Sequence, residues 1–190
     1  AGVIASGIKT GIGRFVSVLM PLLGFILILM VLNAVINGDF LKGLQFLFSP
    51  DFSQVNPQTF LSAMGQAFFS LSLGMGAIMT YGAYMSDDQK ILSTSITVGG
   101  LDTLVALMAG LAIFPIIFAS GLEVTSGGVG LVFITLSQTF ETMFLGQIFG
   151  PLFFILLVIA SLSSSISLLE PSVAYFSEKN ILSRKNAAFI

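Results

Sequence analysis

The stretch Ser70-Leu71-Ser72-Leu73-Gly74-Met75-Gly76 decides the fold, because it interrupts a segment that otherwise resembles a membrane-spanning helix. No residue in the range 52–86 is charged. Glycine weakens a helix interior by about 0.5–1 kcal/mol relative to alanine. In lipid, unwound backbone persists only where protein or a wet cavity satisfies its polar groups. The interruption therefore predicts a place where backbone oxygens meet a ligand or an ion.

The composition is that of an all-α integral membrane protein. It is 55% hydrophobic and only 8% charged, with a mean hydropathy of +1.02, whereas soluble domains carry about 25% charged residues. The chain has no cysteine and no histidine, which removes the usual nucleophile–base pairs and zinc ligands, so we expect no enzyme. The net charge of −2 disfavours nucleic acid as a partner.

Four segments are long and apolar enough to cross a membrane, given that a span needs roughly 20 residues. We expect spans at about 15–37, 61–85, 99–121 and 145–176. The connections at about 38–60 and 122–144 then lie on one side of the membrane, the second as a helical hairpin that dips toward the bilayer. We treat residues 1–190 as a single transmembrane domain and, because the chain opens without an initiator Met, as a fragment.

The basic residues orient these spans. Those on the side of the chain ends are Lys9, Arg14, Lys90, Lys179, Arg184 and Lys185. Only Lys42 lies on the opposite side. Cytoplasmic loops carry an excess of Lys and Arg, so both ends are expected to be cytoplasmic and the connections extracellular, in a multi-pass protein of the cell membrane.

The fourth span carries a row of small and hydroxyl residues. Ala160, Ser163, Ser164 and Ser167 recur at helical spacing and share one face. Such a face permits close helix packing, which is common in membrane bundles. Its oxygens also suit a hard cation such as Na⁺, which prefers oxygen ligands. Spacing alone leaves both interpretations open.

The second span carries Gln66 and Ser70 one helical turn apart. Gln66 could hydrogen-bond a neighbouring helix. The interruption that follows favours a different hypothesis, in which both side chains line the cavity that irregular backbone requires.

Carboxylates within spans are costly and suggest function by default. Asp102 could act as an N-cap at the start of the third helix, a role that suits aspartate. Glu170, which precedes Pro171, could act as a structural hydrogen-bond partner. Glu178 is placed at the cytoplasmic mouth, where a solvated charge is ordinary.

Two motifs resemble a known family. The stretch Gly65-Gln66-Ala67-Phe68-Phe69-Ser70-Leu71-Ser72-Leu73-Gly74-Met75-Gly76-Ala77 is similar to the unwound sixth helix of the neurotransmitter:sodium symporters. The stretch Ala160-Ser161-Leu162-Ser163-Ser164-Ser165-Ile166-Ser167 resembles their eighth helix, and Leu182-Ser183-Arg184-Lys185 the entry to their ninth. The resemblance implies a partial inverted-repeat transporter fold of bacterial amino-acid-transporting type, covering roughly the fifth to eighth helices.

The resemblance also implies roles for individual residues. It assigns substrate contacts to Phe69, Ser70, Ser72, Met75, Ser164 and Leu168. It assigns two sodium sites to Ser70, Asp102, Ala160, Ser163 and Ser164. Tyr84 and Glu178 resemble parts of the cytoplasmic gate, and Gly11 to Pro21 matches a motif linked to cytoplasmic opening.

One departure from the family pattern concerns chloride. Gln66 and Ser70 match positions that hold chloride in animal members, and Asp102 aligns where many members have asparagine. A carboxylate at that position can replace the negative charge of the ion. The resemblance therefore implies a protein that does not require chloride.

The sequence predicts that this chain is part of a sodium-coupled symporter that takes up an amino acid or a related small zwitterion by alternating access. Its partners are then the substrate, the lipid bilayer and the missing remainder of the transporter, including the first helices. A channel or pore subunit and a non-transporting membrane scaffold are the alternatives. A channel needs a continuous wet path, whereas a carrier needs an occluded site near the midplane.

Overall fold

A computed structural model describes residues 2–7, 11–86, 88–121, 128–143 and 145–189. The regular structure in these ranges is entirely helical. The helices are α1 (Gly2–Ala5), α2 (Gly13–Asn37), α3 (Phe40–Phe48), α4 (Pro57–Ser70), α5 (Ala77–Ala83), α6 (Ile91–Ala119), α7 (Leu136–Thr142), α8 (Gly146–Glu178) and α9 (Arg184–Ala187).

The predicted interruption is confirmed. Helix α4 ends at Ser70, a single 3₁₀ turn covers Leu73–Met75, and α5 begins at Ala77. Ser72 and Gly76 adopt left-handed backbone with φ of 53° and 77°, a conformation that an α-helix cannot contain. The hydrophobic segment is therefore one unwound helix in two pieces.

Three helices meet the length and hydropathy of a membrane span within the described residues. They are Gly13–Asn37, Ile91–Ala119 and Gly146–Glu178, with mean hydropathies of 2.8, 2.2 and 2.4. The broken segment is absent from this set because neither α4, with 14 residues, nor α5, with 7, is long enough alone. The chain is a multi-pass membrane protein.

The chain forms two compact units, of which the first comprises Ala1–Pro21, Ser53–Asp102 and Ile159–Ile190. Its apolar core gathers the chain start, the start of α2, the middle of α8 and α9. The buried members are Ile4, Ile12, Ile166, Val173 and Ala187. This core fixes α8 beside the segment that leads into α2.

The second unit comprises Leu22–Phe52 and Thr103–Val158. Its buried residues come from α2, α6, α7 and α8, and include Met30, Ile116, Ile117, Leu136 and Phe153. Phe140 packs against Phe153 with ring centroids 5.6 Å apart. This contact ties α7 to the first turns of α8.

The predicted hairpin is helical in its described part. A π-helical turn over Leu131–Thr135 leads directly into α7. Residues 122–127 of the same connection lie outside the described residues, as does Lys9, which the charge pattern placed before the first span.

The proposal of Asp102 as a helix N-cap is wrong. Helix α6 begins at Ile91, so Asp102 lies well inside it. The sequence argument started the helix too late because aspartate suits an N-cap, yet the helix begins at Ile91 and passes through residue 102 without interruption. Asp102 is therefore a carboxylate within a membrane-spanning helix.

Candidate functional site

The broken helix meets the acid of α6 directly. The hydroxyl of Ser70, the last residue of α4, donates to both carboxylate oxygens of Asp102 at 2.7 and 2.8 Å. Helix α4 stops at this residue, and in its last turn the carbonyls of Ala67 and Phe69 accept from the amides of Leu71 and Ser72. The end of α4 thus places a hydroxyl beside a carboxylate.

The gap between α4 and α5 (residues 71–76) and the serine row of α8 (Ser163, Ser164 and Ser167) face a common cavity within the first unit. The cavity has a volume of about 620 Å³ and is lined by Ser72 from the gap and by Ser163, Ser164 and Ser167 from α8. Tyr81 of α5 and the start of α2 complete the wall. One residue of the interrupted stretch, Ser72, and three serines of α8 therefore line the same cavity.

Hydrogen bonds fix the orientation of this wall. Ser163 donates to the carbonyl of Ala160 at 2.8 Å, and Ser167 donates to the carbonyl of Ser163 at 3.1 Å. The hydroxyl of Tyr81 bonds the Ser167 hydroxyl at 3.2 Å, which links the far side of the gap to the serine row. Neighbouring hydroxyl and carbonyl oxygens of this kind can coordinate a hard cation.

Other residues predicted for the site lie away from this wall. Phe69 and Leu168 are 69% and 46% exposed, and Met75 is 38% exposed; none of them lines the cavity that the serines share. Gln66 is also exposed, and among the described residues no hydrogen bond joins it to Ser70 or Asp102. The described contacts therefore group Ser70 with Asp102 and, separately, Ser72 with Ser163 and Ser164.

Tyr84 and Glu178, which the resemblance assigns to the cytoplasmic gate, lie in different surroundings. Tyr84 donates to Glu170 Oε1 at 3.3 Å, whereas Glu178 is exposed at the end of α8. The tyrosine thus pairs with Glu170, for which the sequence left a structural and a functional role open.

Arg184 is the residue that sequence reasoning missed. Its guanidinium reaches both oxygens of Glu170 at 2.8 Å, and its Nε donates to the carbonyl of Ile4 at 3.0 Å. Glu170 is 0% exposed and Arg184 is 22% exposed. A buried glutamate requires a cation, and a search for its partner among the few basic residues near the chain end could have found this pair.

The close packing of the chain start explains Gly11, the first residue of the predicted opening motif. A Cβ at this position would overlap the carbonyl oxygen of Val3 and lie 3.0 Å from Cβ of Ser6. The segment before α2 therefore folds back on itself only because residue 11 has no side chain.

An interrupted helix beside a row of hydroxyls on a second helix is a feature of the broken-helix transporter folds. The chain belongs to the Sodium:neurotransmitter symporter family, whose sequence profile matches residues 2–189. This is the family that the two sequence motifs resemble.

Individual relatives support the same assignment. The chain is 38% identical over 185 residues to an uncharacterized sodium-dependent transporter of Haemophilus influenzae. It is 30% identical over 177 residues to the sodium-dependent nutrient amino acid transporter 1 of Drosophila ananassae. It superposes on the crystal structure of MhsT in complex with L-phenylalanine with a TM-score of 0.83 at 50% identity.

Each match covers most of this chain but less than half of the relative. The matches cover 97% of this chain and 40% of the Haemophilus influenzae protein, 87% of this chain and 27% of the Drosophila ananassae protein, and 98% of this chain and 42% of MhsT. The chain therefore spans about two fifths of the length of the bacterial relatives that it matches.

Proposed function

We propose that this chain is part of a sodium-coupled symporter that takes up an amino acid or a related small zwitterion by alternating access. The observation that carries the proposal is the cavity of about 620 Å³ that the unwound gap and the α8 serines line together. Unwound backbone at membrane depth needs polar partners, and a cation with a bound zwitterion supplies them. The complex of MhsT with L-phenylalanine supports an amino acid as the substrate class.

Two sodium ions fit the two groups of oxygens. The first would bind at Ser70 and Asp102, where the carboxylate supplies the charge. The second would bind at the Ala160 carbonyl with Ser163 and Ser164, which together offer neutral oxygens. The residues present in both places are oxygen donors, as Na⁺ requires.

Chloride is not required in this proposal. Asp102 carries a fixed negative charge beside Ser70, so a mobile anion there would add repulsion rather than neutralise a sodium ion. Gln66 and Ser70 would then occupy the positions that hold chloride in animal members of the family without binding chloride in this protein.

Substrate would contact the gap and its flanks. We assign Ser72 and Ser164 to the polar end of the zwitterion because both line the cavity. Phe69, Met75 and Leu168, which are exposed in this chain, would close over the apolar side once the absent helices and the substrate complete the pocket. Their ordering on binding would be a population shift toward a closed state.

The cytoplasmic gate would be built around Tyr84, with Glu178 at its mouth. The hydrogen bond from Tyr84 to Glu170 ties the end of α5 to α8, and inward opening would have to break it. Both chain ends face the cytoplasm of the cell membrane in this proposal, because the basic residues concentrate on that side.

Uptake by the full-length protein in liposomes tests the proposal. With sodium outside and potassium inside, we expect saturable uptake of a labelled amino acid; each charge moved through 100 mV contributes about 2.3 kcal/mol. Uptake that is unaffected by replacing external sodium with potassium would refute sodium coupling. Non-saturating flux would favour a channel, and no flux in a folded, correctly inserted protein would favour a scaffold.

A further inference from the structure

Tyr81 joins α5, the helix that follows the gap, to the serine row of α8. Its hydroxyl lies 3.2 Å from the hydroxyl of Ser167 and forms a hydrogen bond with it. The tyrosine is half-buried, and it lines the same cavity as Ser163 and Ser167. Tyr81 therefore approaches the proposed second sodium site from the side of the gap.

The direction of this hydrogen bond follows from the protons that are present. A serine hydroxyl has one proton to donate and two lone pairs that accept. The proton of Ser167 goes to the carbonyl of Ser163 at 3.1 Å. Ser167 therefore accepts the proton of Tyr81 on one lone pair, while its own proton points back along α8.

The same arrangement is repeated one turn earlier on α8. Ser163 donates to the carbonyl of Ala160 at 2.8 Å, so the proton of this hydroxyl is also held by the backbone of its own helix. Hydroxyl bonds of this kind often bend a helix, and a bend helps a carbonyl turn outward. A cation needs oxygens that offer lone pairs and not protons, and the serine row meets that need as long as both protons stay on the helix.

The Tyr81 hydroxyl restricts the rotation of Ser167. A serine side chain has three staggered positions, and without the tyrosine proton both lone pairs of Ser167 are free. The hydroxyl could then turn its proton into the cavity, where it would repel a cation. Tyr81 therefore holds Ser167 in the orientation that keeps protons out of the cavity.

We propose that Tyr81 is a positioning residue for the second sodium ion. It acts through Ser167 and does not itself contact the ion or the substrate. The inference rests on the proposed function, because it assumes a sodium ion at Ala160, Ser163 and Ser164. A tyrosine that served only to pack α5 would use its ring and not its hydroxyl, so removal of the hydroxyl alone distinguishes the two roles.

Tyr81→Phe in the full-length protein tests this, because it removes the hydroxyl and keeps the ring. The first measurement is equilibrium binding of radioactive Na⁺ to the purified protein, and the second is thermal unfolding in potassium without sodium. We expect the sodium concentration for half-saturation to rise about two- to tenfold, as the loss of one hydrogen bond predicts. The unfolding midpoint in potassium should stay that of the unsubstituted protein.

Two further variants separate the path through Ser167 from a general effect. Ser167→Ala alone should also weaken sodium binding, and the double variant should be no weaker than the weaker single variant, because both changes break the same link. Tyr175→Phe is the matched control, since this tyrosine of α8 is 57% exposed. Its half-saturating sodium concentration should be unchanged.

The contrary results are equally specific. Effects of Tyr81→Phe and Ser167→Ala that multiply in the double variant would overturn the inference, because the two hydroxyls would then act independently. A lowered midpoint in potassium with unchanged sodium affinity would also overturn it and leave Tyr81 with a packing role. If the unsubstituted protein binds sodium and Tyr81→Phe binds it equally well, this inference alone fails. If the unsubstituted protein binds no sodium, the proposed function fails together with it.

Discussion

The hydroxyl of Ser70 lies 2.7 and 2.8 Å from the two carboxylate oxygens of Asp102 and donates to them. One neutral donor does not neutralise a carboxylate, so the pair keeps a net negative charge at the point where α4 stops. A cation that enters beside the pair would gain the carboxylate as a ligand and leave the serine free to turn its lone pairs inward.

The first prediction concerns Asp102→Asn in the full-length protein. Loss of the charge should raise the sodium concentration needed for half-maximal uptake, because a charged ligand is replaced by a neutral one. Added chloride should stimulate this variant and leave the unsubstituted protein unchanged. Uptake assays in sodium gluconate and sodium chloride measure both effects. Sodium dependence that survives Asp102→Ala unaltered would contradict the role given to this residue.

The second prediction uses three serines of α8. Ser163→Ala and Ser164→Ala each remove an oxygen from the cavity wall. A hydrogen-bonding or coordinating contact with a charged group is worth about 1.5–3 kcal/mol, or about ten- to hundredfold in affinity. Sodium titrations of amino-acid binding should show that loss.

Ser165→Ala is the matched control for these variants. Ser165 is exposed on the same helix, and its hydroxyl bonds the carbonyl of Ser161 at 2.8 Å rather than facing the cavity. Sodium affinity should be unchanged in this variant. An equal loss in all three alanine variants would indicate a general effect on α8 and would argue against a cation at Ser163 and Ser164.

The third prediction concerns the buried ion pair. Arg184→Ala leaves Glu170, which is 0% exposed, without its cation, and breaking a buried pair costs about 3–5 kcal/mol. We expect a cost near the lower end because Arg184 is 22% exposed. Thermal unfolding in detergent should show a lowered midpoint. Lys185→Ala, at the exposed neighbour, should leave the midpoint unchanged.

A double substitution separates charge burial from packing. Combining Arg184→Ala with Glu170→Gln removes the buried charge together with its partner. The double variant should be more stable than Arg184→Ala alone. If the two variants unfold at the same temperature, the uncompensated carboxylate is not the cause of the loss.

The fourth prediction compares two glycines of the gap. Gly76 has φ of 77°, whereas no such strain applies at Gly74 and a Cβ there would meet nothing within 4 Å. Gly76→Ala should therefore cost about 1–2 kcal/mol of stability, and Gly74→Ala should cost little. Matched thermal melts of the two variants check this difference, and equal stability would mean that the left-handed turn is not required.

The interruption of the helix was predictable because its cause is local. Glycine and serine at 70–76 weaken a helix wherever it lies, and the structure breaks there. The serine row was predictable for the same reason, since helical spacing alone places Ser163 and Ser167 on one face. That this face meets the gap followed from the family resemblance and not from periodicity.

The contacts that the sequence did not reveal are long-range. Arg184 and Glu170 are separated by 14 positions and a change of helix, and no local pattern relates them. Asp102 was considered as an N-cap because aspartate suits that position, although the helix begins eleven residues earlier, at Ile91. The packing of α3 on α6 likewise depends on the close approach of their chains at Gly43 and Gly110.

Equilibrium binding of a labelled amino acid to the purified full-length protein tests the central claim, that the gap and the facing hydroxyls hold a cation and a small zwitterion together. We expect saturable binding in sodium chloride and its loss when potassium replaces sodium at equal ionic strength. Binding of equal affinity in potassium would contradict the account, because the zwitterion would then need no sodium ion beside it.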